Sequence, residues 1–117
     1  MGIAIIIPFY KAELSLAASI ESALNQTYQD IHIILVSNNA TEGSIVIAKD
    51  YANAFPDKIK LIYETQQGAN FARNAGISAT SQEWLQFLDA DDTLRRDKIA
   101  HQIKLVAAKP DTGLIIG

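Results

Sequence analysis

The sequence predicts an α/β domain built on a mainly parallel sheet with helices on both faces, a Rossmann-like three-layer sandwich. Three observations predict it. Apolar runs of strand length alternate with segments of helical period, the order that makes βαβ units. Several runs are continuously apolar and rich in Ile and Val, as strands covered on both faces must be. Unusual polar residues then collect just after those runs, where parallel sheets bind ligands.

The first strand is Ile3–Ile7. The opening IAIIIP lacks a basic lead, is too short for a signal h-region and breaks at Pro8, so it is a buried strand rather than a targeting segment. Leu16, Ile20 and Ala23/Leu24 form a stripe at helical spacing, followed by a second strand over Ile31–Val36. Ile45, Ala48, Ala52 and Phe55 form the next stripe, ended by Pro56, and Ile59–Tyr63 is the third strand. An Ala-rich segment, Asn70–Ser78, carries the third helix. Trp84–Leu88 is the fourth strand, and Ile99, Ile103 and Val106 mark a fourth helix stopped before Pro110. Leu114–Ile116 reads as the start of a fifth strand, so the expectation is the front part of a longer protein.

With 117 residues, 49% hydrophobic and 20% charged, the chain fits one ordinary soluble domain. No run of about 20 apolar residues is present, as a membrane-spanning helix needs. The absence of cysteine excludes disulfides and thiolate chemistry. Ten basic against thirteen acidic residues, a net charge of −3, speak against nucleic acid as a partner. Two sequons, at Asn25 and Asn39, matter only in a secreted chain.

The strand-end loops are Pro8–Ala12, Ser37–Gly43, Thr65–Asn70 and Asp89–Thr93. In the last, an apolar pair runs into Asp89, Asp91 and Asp92 with little to neutralise them. If the chain stays extended past Leu88, residues 89 and 91 point to one side and two carboxylates converge. Such hard oxygen ligands suit Mg²⁺ or Mn²⁺, and an ion there would bridge to substrate phosphates. The plainer reading is an Asp-rich turn capping the next helix, although one cap does not need three carboxylates. In GANFARNAGI, residues 68–77, a small-residue loop opens a short helix whose start favours an anion. Arg73 there is suited to pair with phosphate or stack on a base; a surface Arg on a helix with Ala72 and Gly76 small for packing is the alternative. Ser37-Asn38-Asn39 stands where polar groups could read a base or ribose, but Asn and Gly dominate turns, and locally turn chemistry is the stronger reading. His32, inside a strand, and His101, on the last helix, are structural or solvated. Glu83 is an exposed residue ahead of its strand, and Arg95, Arg96, Lys98 and Lys104 form a solvated helix face.

Together these motifs resemble family 2 glycosyltransferases over nearly the whole chain. An apolar strand ends in Pro and an aromatic, and a helix closes on S-x-L-x-Q-T-Y (residues 22–28). A second strand then runs into SNNATEG where the family carries a D-D-G-S-T-D-like loop. GANFARNAGI is similar to the family's G-x-x-x-A-R-N-x-G helix, and WLQFLDADDTL to its strand plus D-x-D. The resemblance implies the GT-A fold and an inverting glycosyltransferase of hexosyltransferase type, moving sugar from a nucleotide diphospho-sugar, a UDP-sugar by expectation, to a hydroxyl acceptor. That acceptor would be a saccharide or lipid-linked saccharide, as in polysaccharide biosynthesis.

Residues 1–117 would then be a single nucleotide-sugar-binding portion, without the acceptor-binding half. By position, Pro8 and Tyr10 would line the nucleotide pocket, Asn38 would stand where the family has a base-contacting Asp, and Arg73 would approach the base or diphosphate. Asp89 would lie near the ribose and Asp91 would ligate the Mn²⁺ or Mg²⁺. The general base is expected beyond Gly117, so this chain alone would hold a donor without completing transfer. Ser37-Asn38-Asn39 departs from the family in lacking both carboxylates, which leaves base preference open. Location would be cytoplasmic, with membrane association only through segments outside these residues. Two alternatives remain: a nucleotide- or sugar-binding module without catalysis, and a haloacid-dehalogenase-like phosphatase, whose D-x-D-x-T-L nucleophile motif also fits residues 89–94. In that second family the motif follows the first strand, here the fourth.

Overall fold

A computed structural model describes residues 2–108, with side chains through Leu105. Four strands, β1 (Ile3–Phe9), β2 (Ile31–Ser37), β3 (Ile59–Tyr63) and β4 (Trp84–Phe87), alternate with α1 (Leu16–Leu24), α2 (Glu42–Ala54), α3 (Ala69–Ser78) and α4 (Lys98–Ala108). The strands form one sheet in the order β3-β2-β1-β4, and every pairing is parallel. The expected fifth strand, Leu114–Ile116, and the Val106 side chain lie outside the described residues.

The period-2 rule divides the core. Ile3, Ile5, Ile7 and Phe9 pack on one face with Leu16, Ile20 and Ala23 of α1, Ala48 of α2 and Ile99 of α4. Ala4 and Ile6 turn to the other face and meet Ala72 of α3. Helices therefore cover both sides, as the unbroken apolar β1 requires. On the α3 side the approach is close: a Cβ at Gly76 would stand 2.4 Å from Ile6 Cγ2. Helices α1 and α2 are joined by the Tyr51 hydroxyl, which donates to the Glu21 carboxylate at 2.6 Å and is pushed up to about 12 by that bond.

Element ends depart from expectation in instructive ways. Strand β1 does not break at Pro8 but continues through it to Phe9, paired with β2. Ile6 O accepts from Leu88 N–H, so Ile6 and, two residues on, Pro8 face the β4 side. Pro8 falls just past the last β1–β4 hydrogen bond, where no N–H is called for. Ser37 belongs to β2 rather than to the loop. Phe55 leaves the apolar stripe: it is the C-cap of α2 and 42% exposed. Arg95 and Arg96 precede α4 instead of lying on it.

Candidate functional site

The carboxyl ends of β1, β2 and β4 open onto a cleft of about 240 Å³. Pro8, Tyr10, Asn38, Arg73 and Asp89 all line it, so five of the six candidate residues come together from four separate segments. The sixth, Asp91, lines the adjoining hollow with Pro8, Tyr10 and Lys11. Tyr10 is 45% exposed, with Lys11 Nζ 5.4 Å from its ring centroid. Arg73 is half-buried and makes no ion pair among the described residues. Ser44 Oγ accepts from Ala12 N–H at 2.9 Å, and Thr41 donates to the Glu13 carboxylate, pulling its acidity up; these bonds anchor the loop after β1.

The acidic residues converge by a route other than the one expected. The chain does not stay extended past Leu88. It turns, with Asp92 N–H donating to Asp89 O at 3.0 Å. The turn brings Asp92 in as well: one carboxylate oxygen from each of Asp89, Asp91 and Asp92 lies within 4.8 Å of the others. Three exposed carboxylates in that space repel by roughly 1 kcal/mol per pair in water. Their oxygens match the donor set that Mg²⁺ or Mn²⁺ takes, and an ion among them reverses the sign of that energy. The motif ends β4, not the first strand, which separates it from the phosphatase pattern.

Asn38, read locally as turn chemistry and by resemblance as the base-contacting position, has its side chain engaged by backbone remote in sequence. It is 5% exposed, and its amide donates to Glu64 O at 3.0 Å and Gln66 O at 2.8 Å, while Oδ1 accepts from Gly68 N–H at 2.9 Å. Those partners fix the amide orientation, since carbonyls only accept and N–H only donates. Asn39, at φ 57, repeats the pattern: its Nδ2 donates to Thr65 O at 3.0 Å and Gln67 Oε1 at 2.9 Å. Carboxylates could make neither pair of bonds, which accounts physically for amides at 38 and 39. Together they clip the loop ahead of α3 into place, with Gly68 at φ 137, a conformation side chains avoid. Asn38→Asp is expected to leave two carbonyls without donors and to cost on the order of 2 kcal/mol. Urea denaturation would detect it; wild-type stability in that variant would contradict the clip.

His32 sits at the other end of the sheet, 3.7 Å from Asp30, and His101 is exposed on α4; neither reaches the cleft. Glu83 is exposed as expected. Lys98 is half-buried and shares a cavity of about 580 Å³ with Arg73, Asp89 and Asp92, so it is not simply a solvated face. A further cavity of about 350 Å³ lies at the amino ends of the strands, lined by His32, Lys58, Lys60 and Gln82 among others. It is far from the acidic turn, on the side where parallel sheets do not place their sites.

Phe9, Gln67 and Ala69, within the strand-end loops but not singled out there, also line the cleft, as does Ala72, read from the sequence only as small for packing. Sequence reasoning missed the buried Ser19 and Gln26 of α1 and the following turn. The only available signal for these last two was polar residues at helical spacing on an apolar face.

The family model described as Glycosyl transferase family 2 matches residues 4–117. The chain belongs to glycosyl transferase family 2. It is 37% identical over 105 residues to an uncharacterized glycosyltransferase of Haemophilus influenzae, covering 89% of this chain and 42% of the relative. It is 38% identical over 90 residues to the minor teichoic acid biosynthesis protein GgaB of Bacillus subtilis, covering 75% of this chain and 10% of that one. The chain thus spans less than half the length of these relatives. Among solved structures, S. aureus TarS 1-349 in complex with UDP-GlcNAc superposes with a TM-score of 0.82 at 19% identity, covering 92% of this chain and 32% of TarS. The mannosyltransferase PcManGT from Pyrobaculum calidifontis, in complex with GDP-Man and Mn²⁺, gives 0.82 at 24%, covering 90% and 32%. At that identity the superpositions establish the fold, that of GT-A glycosyltransferases.

Proposed function

We propose that this family 2 chain binds the nucleoside diphosphate of a sugar donor, a UDP-sugar, in the cleft at the carboxyl ends of β1, β2 and β4. The observation that carries the reading is the meeting of Tyr10, Arg73 and Asp89 in one cleft beside three converging carboxylates. The ring of Tyr10 offers a stacking face for a base, and the guanidinium of Arg73, without an ion pair among the described residues, offers charge-assisted hydrogen bonds to a diphosphate. Asp91, with Asp89 and Asp92, would hold Mn²⁺ or Mg²⁺. When bound, such an ion neutralises the charge that develops on a departing nucleoside diphosphate. Pro8 and Asn38 form the wall, and because Asn38 is fully engaged, discrimination between bases falls to its neighbours. The mannosyltransferase solved with GDP-Man and Mn²⁺ and TarS solved with UDP-GlcNAc support a nucleotide-sugar donor.

The whole activity proposed is inverting transfer of a hexosyl unit to a saccharide or lipid-linked saccharide hydroxyl, on the cytoplasmic side where sugar nucleotides occur. Among the described residues no helix is long and apolar enough to cross a membrane. Calorimetric titration of UDP, with and without Mn²⁺, tests the reading. Mn²⁺ is expected to strengthen UDP binding by about 10-fold or more, and Arg73→Ala to weaken it by about 10-fold, the value of one charge-assisted contact. UDP binding indifferent to Mn²⁺ would sink the metal role; no UDP binding in millimolar nucleotide would sink the donor site.

A further inference from the structure

Helix α1 reaches the acidic turn through polar side chains of its core-facing side. Ser19 is fully buried, and its Oγ lies 2.9 Å from Ala90 O and 3.4 Å from Asp89 O and also donates to Asp92 O. Three carbonyls of one four-residue turn therefore share a single hydroxyl proton. Ser22, three residues on, accepts from Leu94 N–H at 3.0 Å and donates to Ser19 O at 2.7 Å. Gln26, four further and 1% exposed, donates to Arg95 O at 2.8 Å and accepts from Ile99 N–H at 3.0 Å. Ser19 and Ser22 lie on one side of the helix with Gln26 just past its end. Apart from Ser19 O and Ser22 O, to which Gln26 Nε2 also donates at 3.1 Å, every side-chain partner belongs to the backbone between Asp89 and Ile99.

The turn needs such a hold. Its three carboxylates are exposed and repel one another, and the segment that follows has no secondary structure until Lys98. Asp91 and Asp92 make no hydrogen bond of their own side chains among the described residues, so their placement is inherited from the backbone. We propose that Ser19 and Ser22 are positioning residues for the metal turn: they fix the Asp89–Asp92 backbone so that the carboxylates stay converged before an ion arrives. The proposal rests on the metal reading above. It also gives a physical task to the S-x-L-x-Q-T-Y segment, whose Ser22, Gln26 and Thr27 all bond to residues 94–99.

The test measures Mn²⁺ affinity of the 117-residue chain from the electron paramagnetic resonance of the free ion, together with amide exchange in metal-free protein. Ser19→Ala and Ser22→Ala are each expected to weaken Mn²⁺ by about 10-fold or more, as losing an outer-shell partner does. Tyr51→Phe, which cuts the α1–α2 bond instead, is expected to leave Mn²⁺ affinity unchanged, so that a general loosening of α1 is told apart from loss of the hold. Ser22→Ala is further expected to speed exchange of the Asp92 amide, a group Ser22 does not touch. Wild-type Mn²⁺ affinity in both serine variants overturns the proposal. If the unsubstituted chain takes up no Mn²⁺, the metal reading falls, and exchange alone decides the hold: an unchanged Asp92 rate overturns it. Should Ser19→Ala fail to fold, Ser22→Ala, at a half-buried position, carries both measurements.

Discussion

Asp91→Ala is expected to abolish the Mn²⁺ dependence of UDP binding, with Mn²⁺ affinity falling about 100-fold or more, beyond the range for losing an outer-shell partner. Its effect on stability should change sign with the metal. Without Mn²⁺, removing one of three carboxylates within 4.8 Å of one another relieves repulsion at an exposed position. The variant should then be as stable as the parent or slightly more so, by up to about 0.5 kcal/mol. With Mn²⁺ at 100 times its dissociation constant, the parent gains about 2.7 kcal/mol from linkage and the variant loses most of that gain. Thermal melts of both proteins, with and without Mn²⁺, read the crossover directly. Parallel shifts of the two proteins on adding Mn²⁺ would show that Asp91 is not a ligand.

Gly76→Ala carries the largest expected effect on the fold itself. The added Cβ would meet Ile6 Cγ2 at 2.4 Å and two further Ile6 carbons at 3.3 Å. Ile6 is fully buried in β1, between Ile34 of β2 and Phe87 of β4, and a β-branched side chain has little rotamer freedom to retreat. Helix α3 must lift from the sheet. Overpacking of this kind costs roughly 1–3 kcal/mol or more, and alanine returns about 1 kcal/mol of helix propensity, so a net loss of about 2 kcal/mol is expected. For a domain of this size that is a fall in Tm of roughly 10 °C. UDP affinity should fall as well, because Arg73 lies one turn earlier on the same helix. Ile6→Ala removes the opposing methyl, so the double variant should be far less unstable than the sum of the singles. Additivity within about 0.5 kcal/mol would mean that the contact is not the cause.

Much of this architecture was legible in the residues alone. IAIIIP is apolar at every position and IHIILV at every position but His32, and only a strand covered on both faces needs that, so three layers follow from composition along two short runs. Strand-helix alternation then locates the cleft, because parallel strands all present their carboxyl ends to one edge. What misled was local chemistry. Pro8 signals a break, yet the hydrogen bond it cannot make falls on a side where β4 has already turned away. Asn38 reads locally as turn chemistry, yet its amide is taken up not within its own turn but by residues 64–68, remote in sequence.

The sequence by itself determined the layer order, the edge of the sheet that carries the candidate site, and the residue types gathered there, since these depend on periodicity and on chain direction. Only the tertiary structure decided how the acidic residues converge and what holds them. A hydrogen bond from Ser19 to carbonyls some seventy residues away has no period and no local signature. It exists because α1 and the chain after β4 are packed side by side, and long-range polar contacts become visible only when the two partners are brought together.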